Sequence, residues 1–174
     1  MLRLNQPIHN LVKKMPLFKK VIALLVTGLW LCSYGVGIFA HAIEPPPPLK
    51  ALVAKTKSQV TTSDMDSFKT LYDKKDYDWI IDVREPEEYN SGHIPQAINI
   101  PRGVIEIRIW ALAGYPEKMD TGIRLFLYCG TGTRCTLAAK SLQDLGFTRV
   151  IAVDMQLADW VAAGYPMTEA EPAF

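Results

Sequence analysis

Cysteine and histidine are scarce in this chain: three of each in 174 residues, with no Cys-x-x-Cys pair. The histidines, His9, His41 and His93, are scattered, so no spacing suggests a metal site, and none is expected. Three cysteines, Cys32, Cys129 and Cys135, are too few for a disulfide scaffold. There is also no internal repeat.

Acidic residues are absent from residues 1–42, where Arg3, Lys13, Lys14, Lys19 and Lys20 stand. Five of the 19 basic residues and none of the 18 acidic ones fall in that segment, so residues 43–174 carry four more acids than bases. A mildly acidic domain lacks the electrostatic footprint that nucleic acid requires. Charge of either sign is missing from residues 21–40, an apolar stretch long enough to span a bilayer as a helix. Ala40-His41-Ala42 follows as a small-x-small cleavage signature. The positive flank should stay in the cytoplasm, so the rest is expected to be exported to the periplasm or the outer face of the cytoplasmic membrane. Two readings stand: residues 1–42 are a cleaved signal peptide, or an uncleaved anchor that tethers the domain. Cys32 follows Trp30 and Leu31, where a lipid attachment site wants small residues.

Glu44-Pro-Pro-Pro-Pro48 reads as a stiff spacer, which makes 43–58 a Pro-rich linker ahead of a globular domain at 59–174. In that domain Ser63 is the expected N-cap of a helix through Tyr72, with Asp64 and Asp66 in its first turn. Strands are expected at 79–83, 97–100, 125–128 and 149–153. Helices are expected at 86–89, 104–112, 135–145 and 157–163, with Gly146 and Gly164 as stops. Strands alternating with helices predict an α/β fold: a central, mainly parallel sheet with helices on both faces. In such sheets the active site lies beyond the carboxyl ends of the strands.

Cys129 falls there. It ends the apolar run Ile123-Arg-Leu-Phe-Leu-Tyr128, and the turn Gly130-Thr131-Gly132-Thr133 and then Arg134 follow. Backbone N–H groups of a Gly-rich turn and of a helix N-terminus favour negative charge, which can turn a thiol into a nucleophilic thiolate.

At these residues the chain resembles the rhodanese family. Asp82-Val-Arg84, Glu88-Tyr89, Gly92-His-Ile-Pro95 and Ala97-Ile-Asn-Ile-Pro101 resemble the first half of a rhodanese domain. Tyr128-Cys129-Gly-Thr-Gly-Thr-Arg134 resembles its active-site loop, and Ala162-Ala-Gly-Tyr-Pro166 its end. The resemblance covers about residues 59–168 and is similar to single-domain periplasmic members. It implies a sulfurtransferase in which Cys129 attacks the outer sulfur of a donor such as thiosulfate or a persulfide, carries it as a persulfide, and passes it to cyanide, a thiol or a protein acceptor. No cofactor is implied.

The loop residues Gly130, Thr131, Gly132, Thr133 and Arg134 would bind the substrate, Arg134 adding positive charge near the mouth. Asp82, Arg84 and Glu88 would form a charged group holding the loops around the site. His93 would bond backbone in its turn rather than act as a base. A cysteine phosphatase places five residues between its Cys and Arg; here four lie between Cys129 and Arg134, a ring better suited to a single sulfur than to a phosphoryl group.

Cys135 stands where many rhodaneses have Ser. It reads either as a capping or packing thiol or as a resolving cysteine that closes a disulfide with Cys129. A non-enzymatic persulfide carrier or docking module, and a Cys129/Cys135 redox protein, remain the rival readings. Met155 and Gln156 occupy places where the family commonly has Gly-Gly, and their side chains could narrow the pocket or contact a larger donor. Gln96 replaces another common Gly.

Overall fold

The computed structural model describes residues 45–168. The apolar stretch 21–40 and the signature at 40–42 lie outside the described residues. Among those described, no helix is long and apolar enough to cross a membrane.

The described chain begins with helix α1, Pro47–Lys57. Pro46 is extended, so the expected stiff spacer is corrected at Pro47 and Pro48, and the rest of the expected linker up to Lys57 is helical. Pro47 and Pro48 occupy the first helical positions, where a missing N–H is no loss, and Leu49 and Lys50 donate to the Pro46 carbonyl at 3.0 and 3.1 Å. Strand β1 is Thr61–Asp64 and helix α2 is Met65–Asp73. Ser63 thus lies in a strand, and the N-cap is Asp64, whose carboxylate accepts from Ser67 N at 2.8 Å.

Strand β2 (Trp79–Asp82), helix α3 (Pro86–Asn90) and strand β3 (Ala97–Asn99) follow. The stretch expected as one helix at 104–112 is broken: 3₁₀ at Arg102–Val104, a short α4 at Ile105–Arg108, and 3₁₀ again at Ile109–Ala111. Strand β4 (Leu125–Tyr128), helix α5 (Thr133–Asp144), strand β5 (Val150–Asp154) and helix α6 (Leu157–Ala162) complete the order.

The five strands form one sheet in the order β1-β5-β4-β2-β3, and every pairing is parallel. Parallel pairing puts all the carboxyl ends along one edge. The central strand β4 is buried at all four residues, as expected of a strand covered on both faces. Period-two alternation sorts its side chains. Leu125 and Leu127 join Ile81 and Val83 under α4 and α5, while Phe126 and Tyr128 join Ile80, Phe68 of α2 and Trp160 of α6 on the other face. Helix α1 packs against α5.

Candidate active site

Cys129 continues the alternation of β4, so its side chain belongs to the face covered by α5, and the residue is 1% exposed. The chain then turns and starts α5 at Thr133, so that Cys135 falls in the first helical turn. Gly132 carries φ +77°, and a Cβ there would sit 3.3 Å from Asp154 Oδ1. Both facts call for glycine. Its carbonyl accepts from Thr136 N at 3.2 Å and from Thr136 Oγ1 at 2.8 Å. The Gly130 carbonyl accepts from Leu157 N at 3.0 Å, tying the turn to the start of α6. The loop is thus held at both glycines.

The Cys129 thiol is lowered to about 6. The main cause is the Cys135 thiol, whose sulfur lies 3.8 Å from that of Cys129; the backbone N–H groups of Cys135, Thr131 and Arg134 add to it, against the opposing effect of burial. The shift favours the thiolate form of Cys129 at neutral pH. Cys135 is pushed the other way, well above an ordinary thiol, first by the neighbouring Cys129 and then by burial. Its Sγ also lies 3.1 Å from the Gly132 carbonyl and 3.4 Å from the Val153 carbonyl.

The expected charged group of Asp82, Arg84 and Glu88 divides in two. Asp82 and Arg84 form a buried pair: Arg84 Nε donates to both carboxylate oxygens at 2.9 and 3.0 Å, and its Nη2 donates to Asp82 at 2.6 Å and to the Gly92 carbonyl at 2.7 Å. Glu88 instead pairs with Arg134 through two parallel bonds of 2.6 and 2.7 Å. Arg134 also interacts with Cys129 and lies against Gly130. Its charge is therefore partly spent on Glu88, whose carboxyl is held below its ordinary range chiefly by that guanidinium.

His93 lies in a packed turn. Its ring stacks on Tyr89 with centroids 3.7 Å apart, and Nδ1 lies 3.1 Å from the Tyr89 carbonyl. Met155 turns its side chain into the core on the α6 face, away from Cys129, and is 7% exposed. The expectation that it narrows the sulfur pocket is corrected. What borders the loop is its carbonyl, 3.8 Å from the place of a Gly132 Cβ. Gln156 is exposed and precedes α6. Gln96 adopts φ +68°, which explains why glycine suits this place, and its Oε1 accepts from Tyr77 Oη at 2.9 Å.

Sequence reasoning missed Asp154 and Lys57. Asp154 ends β5 beside Gly132 and pairs with Lys57 at the end of α1. A groove of about 270 Å³ lined by Leu49, Val53, Lys57 and Thr133 separates that helix from the loop, and Cys129 does not line it. No local signal could have joined residues so distant in sequence.

The family model for the rhodanese-like domain matches residues 64–163. The chain belongs to the rhodanese-like domain family. Among relatives, this rhodanese-like chain is 30% identical over 107 residues to a Bacillus subtilis protein named "Putative sulfur carrier protein YrkF", covering 62% of this chain and 54% of that one. It is 29% identical to the thiosulfate:glutathione sulfurtransferase of Saccharomyces cerevisiae, covering 64% and 85%. It is 39% identical over 70 residues to the thiosulfate sulfurtransferase PspE of Escherichia coli, covering 40% and 62%. The chain thus spans about half the length of the first of these and most of the second. Among solved structures, a Rhodopseudomonas palustris protein of unknown function, called a "Possible Tyrosine Phosphatase", superposes with a TM-score of 0.59 at 28% identity, covering 69% and 93%. The thiosulfate sulfurtransferase of Pseudomonas aeruginosa shares the fold, with a TM-score of 0.60 at 23% identity, covering 71% and 23%.

Proposed function

We propose that this rhodanese-like domain transfers sulfane sulfur through a persulfide on Cys129. The observation that carries the reading is the Cys129 thiol lowered to about 6 at the end of the central strand, in a loop whose N–H groups of Thr131 and Arg134 stabilise a buried anion. The thiolate attacks the outer sulfur of thiosulfate; the S–S bond breaks and sulfite leaves with the electron pair. The terminal sulfur of the persulfide is again an anion, and the same N–H groups stabilise it. Cyanide or a thiol then takes that sulfur and returns Cys129 to the thiolate. The family membership and the sulfurtransferase names of relatives in yeast and Escherichia coli support this class of reaction.

Phosphoryl transfer, suggested by the name of the Rhodopseudomonas palustris neighbour, is disfavoured by loop length. Only four residues separate Cys129 from Arg134, and Glu88 holds both outer nitrogens of the guanidinium that would have to grip a phosphoryl group. A persulfide carrier that hands sulfur to another protein is a second reading, favoured by the 1% exposure of Cys129 and by the name of the Bacillus subtilis relative.

The test is sulfite release from thiosulfate in the presence of cyanide by the purified domain. Turnover that is lost in Cys129→Ser supports the enzyme. A sulfur adduct on Cys129 without turnover on any small donor favours the carrier. Residues 1–42 are proposed to export the domain, either as a cleaved signal or as an anchor at the cytoplasmic membrane. Cell fractionation and the intact mass of the exported protein distinguish these two from a chain retained in the cytoplasm.

A further inference from the structure

We infer that Cys135 is a resolving cysteine: it attacks the Cys129 persulfide, closes a Cys129–Cys135 disulfide and releases the carried sulfur as hydrosulfide. The inference rests on the sulfurtransferase reading, because the persulfide must form first.

The two sulfurs are 3.8 Å apart, and both residues are free thiols. The arrangement follows from the fold. The alternation of β4 turns Cys129 toward α5, and the six-residue separation returns the chain with Cys135 in the first turn of that helix. A bond requires about 2.05 Å between the sulfurs, so they must close by roughly 1.8 Å. The first turn of a helix lacks the full set of intrahelical bonds that stiffens its middle, so the start of α5, which carries Cys135, can supply that shift. Cys135 is also more than a packing thiol. Its Sγ faces two carbonyls, of Gly132 and Val153, as well as the sulfur of Cys129. Cys135 is fully buried in the apolar core under α5, and within it the sulfur keeps these polar contacts and lies against the sulfur of Cys129.

The same contact keeps Cys135 silent until it is needed. While Cys129 is a thiolate, that neighbour is the largest influence holding the proton on Cys135. Once Cys129 carries sulfur, the negative charge moves one bond outward, to the terminal sulfur, and the hold on the Cys135 proton relaxes. In the proposed step that proton goes to the terminal sulfur. The Cys135 sulfur bonds to Cys129 Sγ, and the bond between Cys129 Sγ and the terminal sulfur breaks, its electron pair leaving with hydrosulfide. The two cysteine sulfurs are oxidised to a disulfide, and the sulfane sulfur is reduced to sulfide. Two molecules of a small thiol then reopen the disulfide by exchange and leave as their own disulfide. Over the cycle, thiosulfate and two thiols give sulfite, hydrogen sulfide and one small-molecule disulfide.

The experiment loads the full chain with thiosulfate without any acceptor. Protein mass is read after acid quenching, and released sulfide is trapped with a bimane. Wild type is expected to become lighter by two hydrogens, with a peptide linking Cys129 to Cys135 and stoichiometric sulfide. Cys135→Ser, which keeps a donor of similar size, and Cys135→Ala are expected to stay heavier by one sulfur and to release none. A wild-type adduct that persists as long as that of Cys135→Ser overturns the proposal and leaves sulfur transfer standing. Absence of adduct, disulfide and released sulfide in the wild type overturns the sulfur-transfer reading, and the resolving step with it.

Discussion

Glu88 and Arg134 meet through two parallel hydrogen bonds of 2.6 and 2.7 Å across 46 residues of sequence. The pair is half-exposed, with side-chain exposures of 41% and 33%, and the arginine also interacts with Cys129. The guanidinium of the Cys129 loop is therefore divided between a carboxylate and the Cys129 sulfur. Glu88→Gln keeps the shape and removes the competing charge. It is expected to lower KM for thiosulfate by a few-fold, on the order of ~1 kcal/mol of recovered attraction at an exposed pair. Arg134→Ala is expected to reduce kcat/KM for thiosulfate by about 10- to 100-fold, the usual range for a charged hydrogen bond. Steady-state kinetics on the two variants decides it; an unchanged KM in Glu88→Gln contradicts competition for Arg134.

The Cys129 thiol is lowered from 9.0 to about 6, first by Cys135. Alkylation by iodoacetamide is expected to follow the thiolate, flat above about pH 7 and falling tenfold per pH unit below about 6. In Cys135→Ala the midpoint moves up toward the ordinary thiol value, while Cys135→Ser, which retains a donor, moves it less. A midpoint common to all three proteins rules out the sulfur–sulfur contact as the cause.

The same shift ties stability to pH. The folded value lies below the unfolded one, so the folded chain loses its proton first. The stabilisation is complete above about pH 9 and is lost as the pH falls through about 6. Thermal unfolding between these limits should show wild type gaining stability with rising pH relative to Cys129→Ser. Parallel curves for the two proteins would contradict the assignment.

Asp82 and Arg84 have side-chain exposures of 0% and 7%. Removing one partner leaves the other charge buried. Asp82→Ala is expected to destabilise the domain by about 3–5 kcal/mol, read by urea denaturation. A loss under ~1 kcal/mol shows that Arg84 finds water instead.

Gly132→Ala meets both the positive φ and the 3.3 Å approach to Asp154 Oδ1. The left-handed backbone alone costs an alanine about 1–2 kcal/mol. The larger effect is expected in activity, because the Gly132 turn sets where α5 begins and so where the Arg134 and Cys135 N–H groups point. Retained sulfite release with lowered stability would mean the loop tolerates the shift.

Much of the architecture was legible locally. The run of Leu125, Phe126, Leu127 and Tyr128 was readable as a buried strand, and the turn that follows it as a thiolate loop, because each depends on neighbours in sequence. Helix starts were less so. Ser63 and Asp64 are both good caps, and only the pairing of β1 with β5, which takes Ser63 as a strand residue beside Val153, decides for Asp64. Four prolines in a row read as extended chain, yet Pro47 and Pro48 are acceptable at a helix start, and packing against α5 carries the rest of α1.

Local sequence was enough to single out Cys129 as the candidate nucleophile: it ends an apolar strand and opens a glycine turn, and both properties come from adjacent residues. It also limited the ring to four residues before Arg134. The tertiary structure decided what surrounds that atom. It gave Arg134 to Glu88, turned Met155 into the core, and set Cys135 3.8 Å from Cys129. The reason is physical. Strand alternation and a glycine turn are fixed by local backbone geometry, whereas ion pairing and sulfur–sulfur contact depend on how separate elements pack around the sheet.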